Sequence, residues 1–372
     1  MLIKHLDFNL VLSEAAQSFF SYKDCLFFDI ETNGFSPDIS NVYLIGCLYY
    51  KEEHWQMTQW FANDYSSEKE LLLSFFNFVA SFSLLIHYNG SRFDIPYLQK
   101  KCIQHHLPDT FHDIQSLDLY KQLSFLKKLL SLENIKQKTL EPYVHFIRKD
   151  KYSGGELIKV YTQYMQNRLL SKPCDIYLNA LYLHNQEDLL GLFYCCDLLS
   201  YCSFFSGEFE IVSSSVKKDL ETPGFWKDSF IISVQLKHPV SEKLFLSNDF
   251  FQVLASSREA QFKIKLYSGC LKYFYSEYKD YYYLPKEDTA IHKSVAAYVD
   301  KGFREKAKAS NCYMKKEGLF LPQFKELILP VFREDYKSFP FYFELNDSFL
   351  SSPSLQHEYL HHLLLFLNGL TK

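Results

Sequence analysis

Four carboxylates and one imidazole stand out in this chain for where they fall. In LFFDIETNGFS (Leu26 to Ser36) an apolar run ends on Asp29 and Glu31, one residue apart, before a Thr-Asn-Gly turn. Charges are costly to remove from water unless paired or bound to a metal, so acids at the mouth of a buried strand require a partner. Asp94 opens a predicted helix in HYNGSRFDIPYL, and Asp188 lies in a predicted long helix in HNQEDLLGLF, one turn after His184 and on its face. Four carboxylates converging where strands meet helices would make a set of oxygen ligands suited to Mg²⁺ or Mn²⁺ rather than to zinc. Two such ions about 3.5–4 Å apart hold the attacking and leaving oxygens of a phosphodiester in line. The chemistry these residues point to is phosphodiester hydrolysis.

The elements that must position them follow from the apolar pattern. CLFFDI (Cys25 to Ile30) reads as a buried strand, NVYLIGCLYY (Asn41 to Tyr50) as a second, and EHWQMTQWF (Glu53 to Phe61) as a third, a meander that follows a short opening segment. Ser67 to Ala80 has helical periodicity, LLIHY (Leu84 to Tyr88) is a short strand, and FDIPYLQKKCI (Phe93 to Ile103) starts a helix with Pro96 in its first turn. This strand and helix alternation is that of an α/β layer fold. Leu119 to about Asn167 reads as mostly helical and Lys-rich, and a long helix runs from about Asp175 to Leu199. Between Gly207 and Phe225 the periodicity lapses and Ser, Lys and Pro-Gly signals gather, which sets a boundary near Phe205 and domains of 1–205 and 206–372. Strand-like runs with turn residues between them then dominate (SFIISVQLKH, KLFLSND and AQFKIKLYSGCLKYFYSEYKDYYYLP), followed by a predicted helix from about Asp288 to Ala309. The expectation is a C-terminal β-rich α+β accessory domain.

Bulk properties narrow the class. At 372 residues and 47% hydrophobic content the chain can bury a large core. A net charge of -4 argues against tight, non-specific binding of duplex DNA, so any nucleic-acid contact must be local. Nine cysteines, including the adjacent Cys195 and Cys196, fit reduced thiols better than a disulfide framework. Asp7 interrupts what would be the apolar region of a signal peptide, so a cytoplasmic protein without a membrane anchor is expected.

Taken in order, DIET (Asp29 to Thr32), NGSRFDIPYL (Asn89 to Leu98) and HNQEDLLGL (His184 to Leu192) resemble the motifs of the DEDD (DnaQ-like) exonucleases of the ribonuclease H fold. Within that superfamily the chain is most similar to the bacterial YprB-like, ribonuclease H-like proteins, which share a Lys-rich segment like LENIKQKTLE (Leu132 to Glu141) and RKDKYSGGE (Arg148 to Glu156). The similarity covers most of residues 20–200. It implies a mixed five-stranded sheet flanked by helices, and 3′–5′ exonuclease action on ends of single-stranded DNA or RNA with two divalent cations, Mg²⁺ or Mn²⁺. It further implies that Asp29 bridges both metals, Glu31 and Asp188 complete one site, and Asp94 holds the second through water. Thr32, Asn89, Lys136, Lys138 and Arg148 are the matching candidates for binding substrate.

One departure bears on mechanism. In the two main branches of that superfamily the residue that activates or orients water is a Tyr four positions before the last Asp or a His five before it; here His184 stands at four and Leu183 at five. A His with an ordinary pKa of about 6.5 can act as a general base, whereas a Tyr near 10 mostly orients water. His87 and Tyr182 are alternatives, and a ribonuclease H-like binding module with weak or absent catalysis is the competing reading.

Other signals are weaker. HEYLH (His357 to His361) matches the zinc-protease pattern but has no clear third ligand, and Cys102 with His105 and His106 has no second ligand pair. Residues 121–151 hold eight Lys/Arg against three acids, and residues 286–316 eight against four. In FKIKLY, Lys263 and Lys265 alternate with apolar residues, giving one basic strand face as a candidate contact for nucleic acid.

Overall fold

The computed structural model describes residues 1–109, 111–218 and 228–369. The chain divides into two compact units, Met1–Cys202 and Ser203–Lys372.

The first unit is built on a six-stranded sheet of β1 (Leu2–Phe8), β2 (Cys25–Thr32), β3 (Val42–Lys51), β4 (His54–Phe61), β5 (Leu84–His87) and β6 (Gln115–Asp118), in the order β1-β4-β3-β2-β5-β6. β1 to β4 pair antiparallel; β2–β5 and β5–β6 are parallel. The sheet has six strands where five were expected. Leu2–Phe8 alternates weakly and leaves Leu2 and Ile3 exposed, so its apolar pattern does not announce a strand; it is fixed by pairing with β4, from Leu2 opposite Phe61 to Phe8 opposite Trp55.

The two faces of the sheet carry different helices. Leu26, Phe28 and Ile30 join a core with α2 (Glu68–Val79) and α3 (Asp94–His105), after the short α1 (Glu14–Phe19). On the other face Tyr43 and Phe61 pack with residues of two later helices, 154–169 and 175–195. Side chains alternate across a strand, so the register that buries Leu26, Phe28 and Ile30 toward α3 turns Phe27, Asp29 and Glu31 toward the opposite layer. Phe27 packs on Phe193 there, with ring centroids 5.6 Å apart.

The Lys-rich segment is less helical than its composition suggests. It contains three short helices, α4 (Leu119–Leu123), α5 (Leu126–Leu129) and α6 (Gln137–Leu140), and an irregular stretch before α7 (Gly154–Leu169), which opens with a capping box between Ser153 and Glu156. α8 (Asp175–Cys195) then leads into α9 (Leu199–Phe205). The run 175–205 is long and apolar enough to cross a membrane by length and composition, but 72% of that apolar window is buried and it carries His184, Glu187 and Asp188, which marks a core helix.

In the second unit, β7 (Phe209–Lys218), β8 (Asp228–Ser247) and β9 (Phe251–Lys265) form one antiparallel sheet. Residues expected to lack periodicity thus form β7, while the Pro223–Gly224 signal lies outside the described residues. β10 (Tyr267–Phe274), β14 (Tyr313–Gln323) and β15 (Phe341–Glu344) make a second sheet; β11 (Tyr281–Leu284), β12 (Thr289–His292) and β13 (Glu305–Lys306) make a third. The helix expected from Asp288 to Ala309 is not formed. That stretch holds β12, the single-turn α10 (Lys293–Ala296), a 3₁₀ turn and β13. Its helix-favouring composition is overridden by the β11–β12 hairpin, whose turn residue Asp288 sits at φ 49° and pairs with Lys315 and the Tyr283 and Tyr313 hydroxyls.

HEYLH lies on α12 (Pro353–Leu367), after the short α11 (Asp347–Leu350). There His357 Nε2 bonds the Gly207 carbonyl at 2.7 Å, and His362, just past the motif's second histidine His361, accepts the Phe324 N–H at 2.9 Å. These are structural clasps. Likewise Cys102 is buried in the core, while His105 bonds Glu68 at 2.9 Å. All nine cysteines are free.

Candidate active-site cleft

Asp29 and Glu31 leave β2 on the face turned to α8, and α8 answers with His184, Asn185 and Asp188. His184 Nε2 lies 3.1 Å from Asp188 Oδ2, as their spacing of one turn requires, and 3.6 Å from Glu31 Oε1. Glu31, His184 and Asp188 are, among the described residues, the one group of at least three potential ligands whose ligand atoms all lie within 4.8 Å of one another. Asp94, the first residue of α3, approaches from beyond the end of β5, accepting backbone hydrogen bonds from its own N–H and from Ile30. Ile30 lies past the last β2–β5 pair, Phe27 with Ile86, so its N–H is not used in that ladder. Asp29, Glu31, Asp94, His184 and Asp188 are therefore brought to one place.

The charges there are out of balance. Burial raises the Asp29 carboxyl well above its ordinary range, with Asp188, Glu31 and Asp94 adding to the rise and an Asn185 hydrogen bond opposing it. Burial also raises Glu31 to about 8 against the attraction of His184, and Asp94 to about 7. Asp188 is the exception: burial would raise it, but the His184 hydrogen bond and the charges of His184 and Arg148 outweigh that and lower it. Reciprocally, burial would lower His184, but Asp188, Glu31 and Asp150 raise it to about 9.

Several partners were not evident as site residues in the sequence. Asn185, fully buried, donates to Asp29 Oδ2 at 2.9 Å and receives Gln59 Nε2 at 2.9 Å. Asp150 Oδ2 meets His184 Nδ1 at 2.6 Å. Glu187 accepts the backbone N–H groups of Lys149 (3.0 Å) and Asp150 (2.8 Å). The signal available in sequence was the run of polar residues, His-Asn-Gln-Glu-Asp, in a helix otherwise buried on most sides.

The other candidates are placed as follows. Lys136 and Lys138 line a cleft of about 560 Å³ with Asp29, Glu31, His184 and Asp188; Lys151, Tyr88 and Tyr152 share its wall. Lys138 Nζ also holds the Tyr152 carbonyl at 2.7 Å. Arg148 is tied down instead, with two hydrogen bonds to Glu141 (2.6 and 2.5 Å) and an ion pair to Asp188 (2.5 Å). Thr32 Oγ1 donates to the Gly34 carbonyl at 2.8 Å. Asn89 takes up φ 60° and donates its N–H to Asp118, a turn role; at the next position Gly90 has no room for a Cβ, which would lie 2.8 Å from the His87 ring. His87 is buried against Ser116 and Gly90, and burial lowers it to about 4. The Tyr182 ring packs on Phe61 under Lys4. Neither alternative to His184 lines the cleft.

Comparison with known proteins bears on the fold. Residues 26–200 match the family model described as RNase_H superfamily, a span that starts in β2, ends in α9 and contains every residue of the acidic site. The N-terminal unit has a ribonuclease H-like fold. No curated protein matches the chain by sequence. Among solved structures, Escherichia coli exonuclease I in complex with a dT13 oligonucleotide is similar at 13% identity and a TM-score of 0.30, over 62% of this chain and 54% of that one. The family B DNA polymerase of Pyrobaculum calidifontis is similar at 14% identity and a TM-score of 0.34, over 69% of this chain and 35% of that one. The chain thus spans about half the length of that exonuclease chain and about a third of the polymerase. Likeness at this level says nothing about activity; the ribonuclease H-like domain has to be read from its own side chains.

Proposed function

We propose that the ribonuclease H-like domain is a metal-dependent nuclease of the DEDD type, of the YprB-like branch, acting as a 3′–5′ exonuclease on single-stranded DNA or RNA. The observation that carries this reading is the gathering of Asp29, Glu31, Asp94 and Asp188 where β2 meets α8 and the start of α3, with ligand atoms of Glu31, His184 and Asp188 all within 4.8 Å of one another. A donor set of four carboxylates fits hard cations such as Mg²⁺ or Mn²⁺, and its mutual repulsion is what such ions relieve. Asp29, Glu31, Asp94 and Asp188 would hold two of them, which when bound would supply charge neutralisation and a lowered pKa for water. The chain's own residues do the rest. Lys136, Lys138 and Lys151 give the cleft a positive wall for a phosphodiester backbone, and His184 turns Nε2 toward the acidic pocket, where it can accept or hold a proton.

A second reading has an observation in its favour. Arg148 and His184 both pair with Asp188, compensating it without any metal, as suits a ribonuclease H-like module that binds nucleic acid and does not cut it. For the second unit we propose an accessory role, with Lys263 and Lys265 on β9 as candidate backbone contacts.

The deciding experiment is digestion of DNA and RNA oligonucleotides, single- and double-stranded and labelled at either end, with Mn²⁺, Mg²⁺ or EDTA. The nuclease reading expects stepwise shortening from the 3′ end that needs metal and disappears in Asp29→Ala. Metal-dependent binding without shortening would favour the second reading, and an Asp29→Ala variant with undiminished turnover would remove the site assignment.

A further inference from the structure

The segment 148–152, read from sequence as part of a basic patch, meets the acidic pocket through an acid. Asp150 is buried, and its Oδ2 lies 2.6 Å from His184 Nδ1, while its Oδ1 accepts the Tyr152 N–H at 3.1 Å. Glu187, on the same helix as His184, takes the N–H groups of Lys149 and Asp150, and so fixes the backbone from which Asp150 reaches back to that helix. Lys138 approaches the same Oδ2 at 3.5 Å. An imidazole whose Nδ1–H is bound to a carboxylate has its ring orientation fixed and Nε2 as its remaining functional atom. Here Nε2 faces Glu31 and Asp188.

We propose that Asp150 is the positioning residue of His184, and that Glu187 positions Asp150. This rests on the nuclease reading only in giving His184 a task; the arrangement itself is independent of it. Partners of this kind around metal sites change affinity or activity by about 10–100-fold when removed.

The test uses the whole chain, with ¹⁵N-labelled histidine, in the metal-free and Mg²⁺-loaded states. Asp150→Asn keeps the shape of the side chain and removes the charge. The proposal expects the His184 ring nitrogens, assigned by their loss in His184→Ala, to shift in Asp150→Asn and Glu187→Gln while the other histidines stay in place. It also expects Asp150→Asn to lower kcat by about 10–100-fold with KM within about twofold. In a His184→Ala background the same substitution should produce no further loss. Unchanged His184 nitrogens, or an equal loss with and without His184, would overturn it. If the wild-type chain shows no turnover on any substrate, the nuclease reading fails and the nitrogen shifts still decide the positioning claim.

Discussion

Asn185 donates from Nδ2 to Asp29 Oδ2 across 2.9 Å, and it reaches that carboxylate over a glycine. A Cβ on Gly46, in β3 opposite Asp29, would lie 2.0 Å from Asn185 Oδ1 and 2.8 Å from Leu189 Cδ1. The contact that opposes the charge crowding at Asp29 therefore depends on a missing side chain in a neighbouring strand.

Gly46→Ala should displace Asn185, because both atoms the methyl would meet belong to the packed helix α8. Overpacking of this size costs about 1–3 kcal/mol, and urea denaturation measures it. Asn185→Ala should match its effect on Mn²⁺ affinity. Wild-type stability and Mn²⁺ binding in Gly46→Ala would show that the close approach relaxes without consequence.

Acid pairs that hold protons tie stability to pH. With Glu31 raised to about 8 and Asp94 to about 7, the folded metal-free chain binds more protons than the unfolded chain from about pH 4.5 upward to those values, so stability falls as pH rises through them. His184, raised to about 9, acts in the same direction, its contribution being complete below about pH 6.5 and lost through 9. Asp188 is lowered, and its contribution is lost only as pH falls through its folded value, outside this window. In EDTA, Tm should therefore drop between pH 6 and 9. Mn²⁺ should raise Tm more at pH 8 than at pH 6, because binding need displace fewer protons there. A metal-free Tm that rises over this range would contradict the charge arrangement.

His184 can be tested for the kind of help it gives. If its imidazole acts as a base, His184→Tyr and His184→Ala should both lose roughly 10²–10⁴-fold in kcat. If it only orients water, Tyr at this register should keep much more activity than Ala. A wild-type rate in His184→Ala would make the residue structural.

Two of the residues expected to bind substrate should separate cleanly. Arg148 is committed to Glu141 and Asp188, so Arg148→Met leaves a buried carboxylate unpaired and should destabilise the fold by about 3–5 kcal/mol. Lys136 is exposed in the cleft, so Lys136→Ala should leave stability unchanged while weakening nucleic-acid binding and lowering its salt dependence by about one ion. Urea titration and binding at several salt concentrations check the pair; the reverse pattern would return Arg148 to the substrate.

What was legible depended on range. The apolar run CLFFDI and the one-turn spacing of His184 and Asp188 are local, and both survive in the fold. The convergence of Asp29, Asp94 and Asp188 was legible only through three motifs in order. Asn185 and Asp150 act on residues 156 and 34 positions away; Asn185 is marked only by the polar run around it, which does not name its partner, and nothing near Asp150 distinguishes it from a charge-patch residue. The same holds for β1, whose partner is more than forty residues off, and for the 289–306 segment, where a hairpin overrode helix-forming composition.

The pairing of β1 with β4 has a further consequence, for solubility. β4 is almost entirely buried, with Trp55, Met57, Trp60 and Phe61 in sequence, and one row of its backbone N–H and C=O groups is satisfied only by β1. β1 itself carries Lys4, His5 and Asp7, charged or polar groups of the kind that discourage another chain from adding at an open sheet edge. Deleting residues 1–8 would expose an apolar, two-tryptophan strand as a template for edge-to-edge association. Such a truncation should therefore reveal itself by concentration-dependent aggregation in light scattering, at concentrations where the full chain stays dispersed.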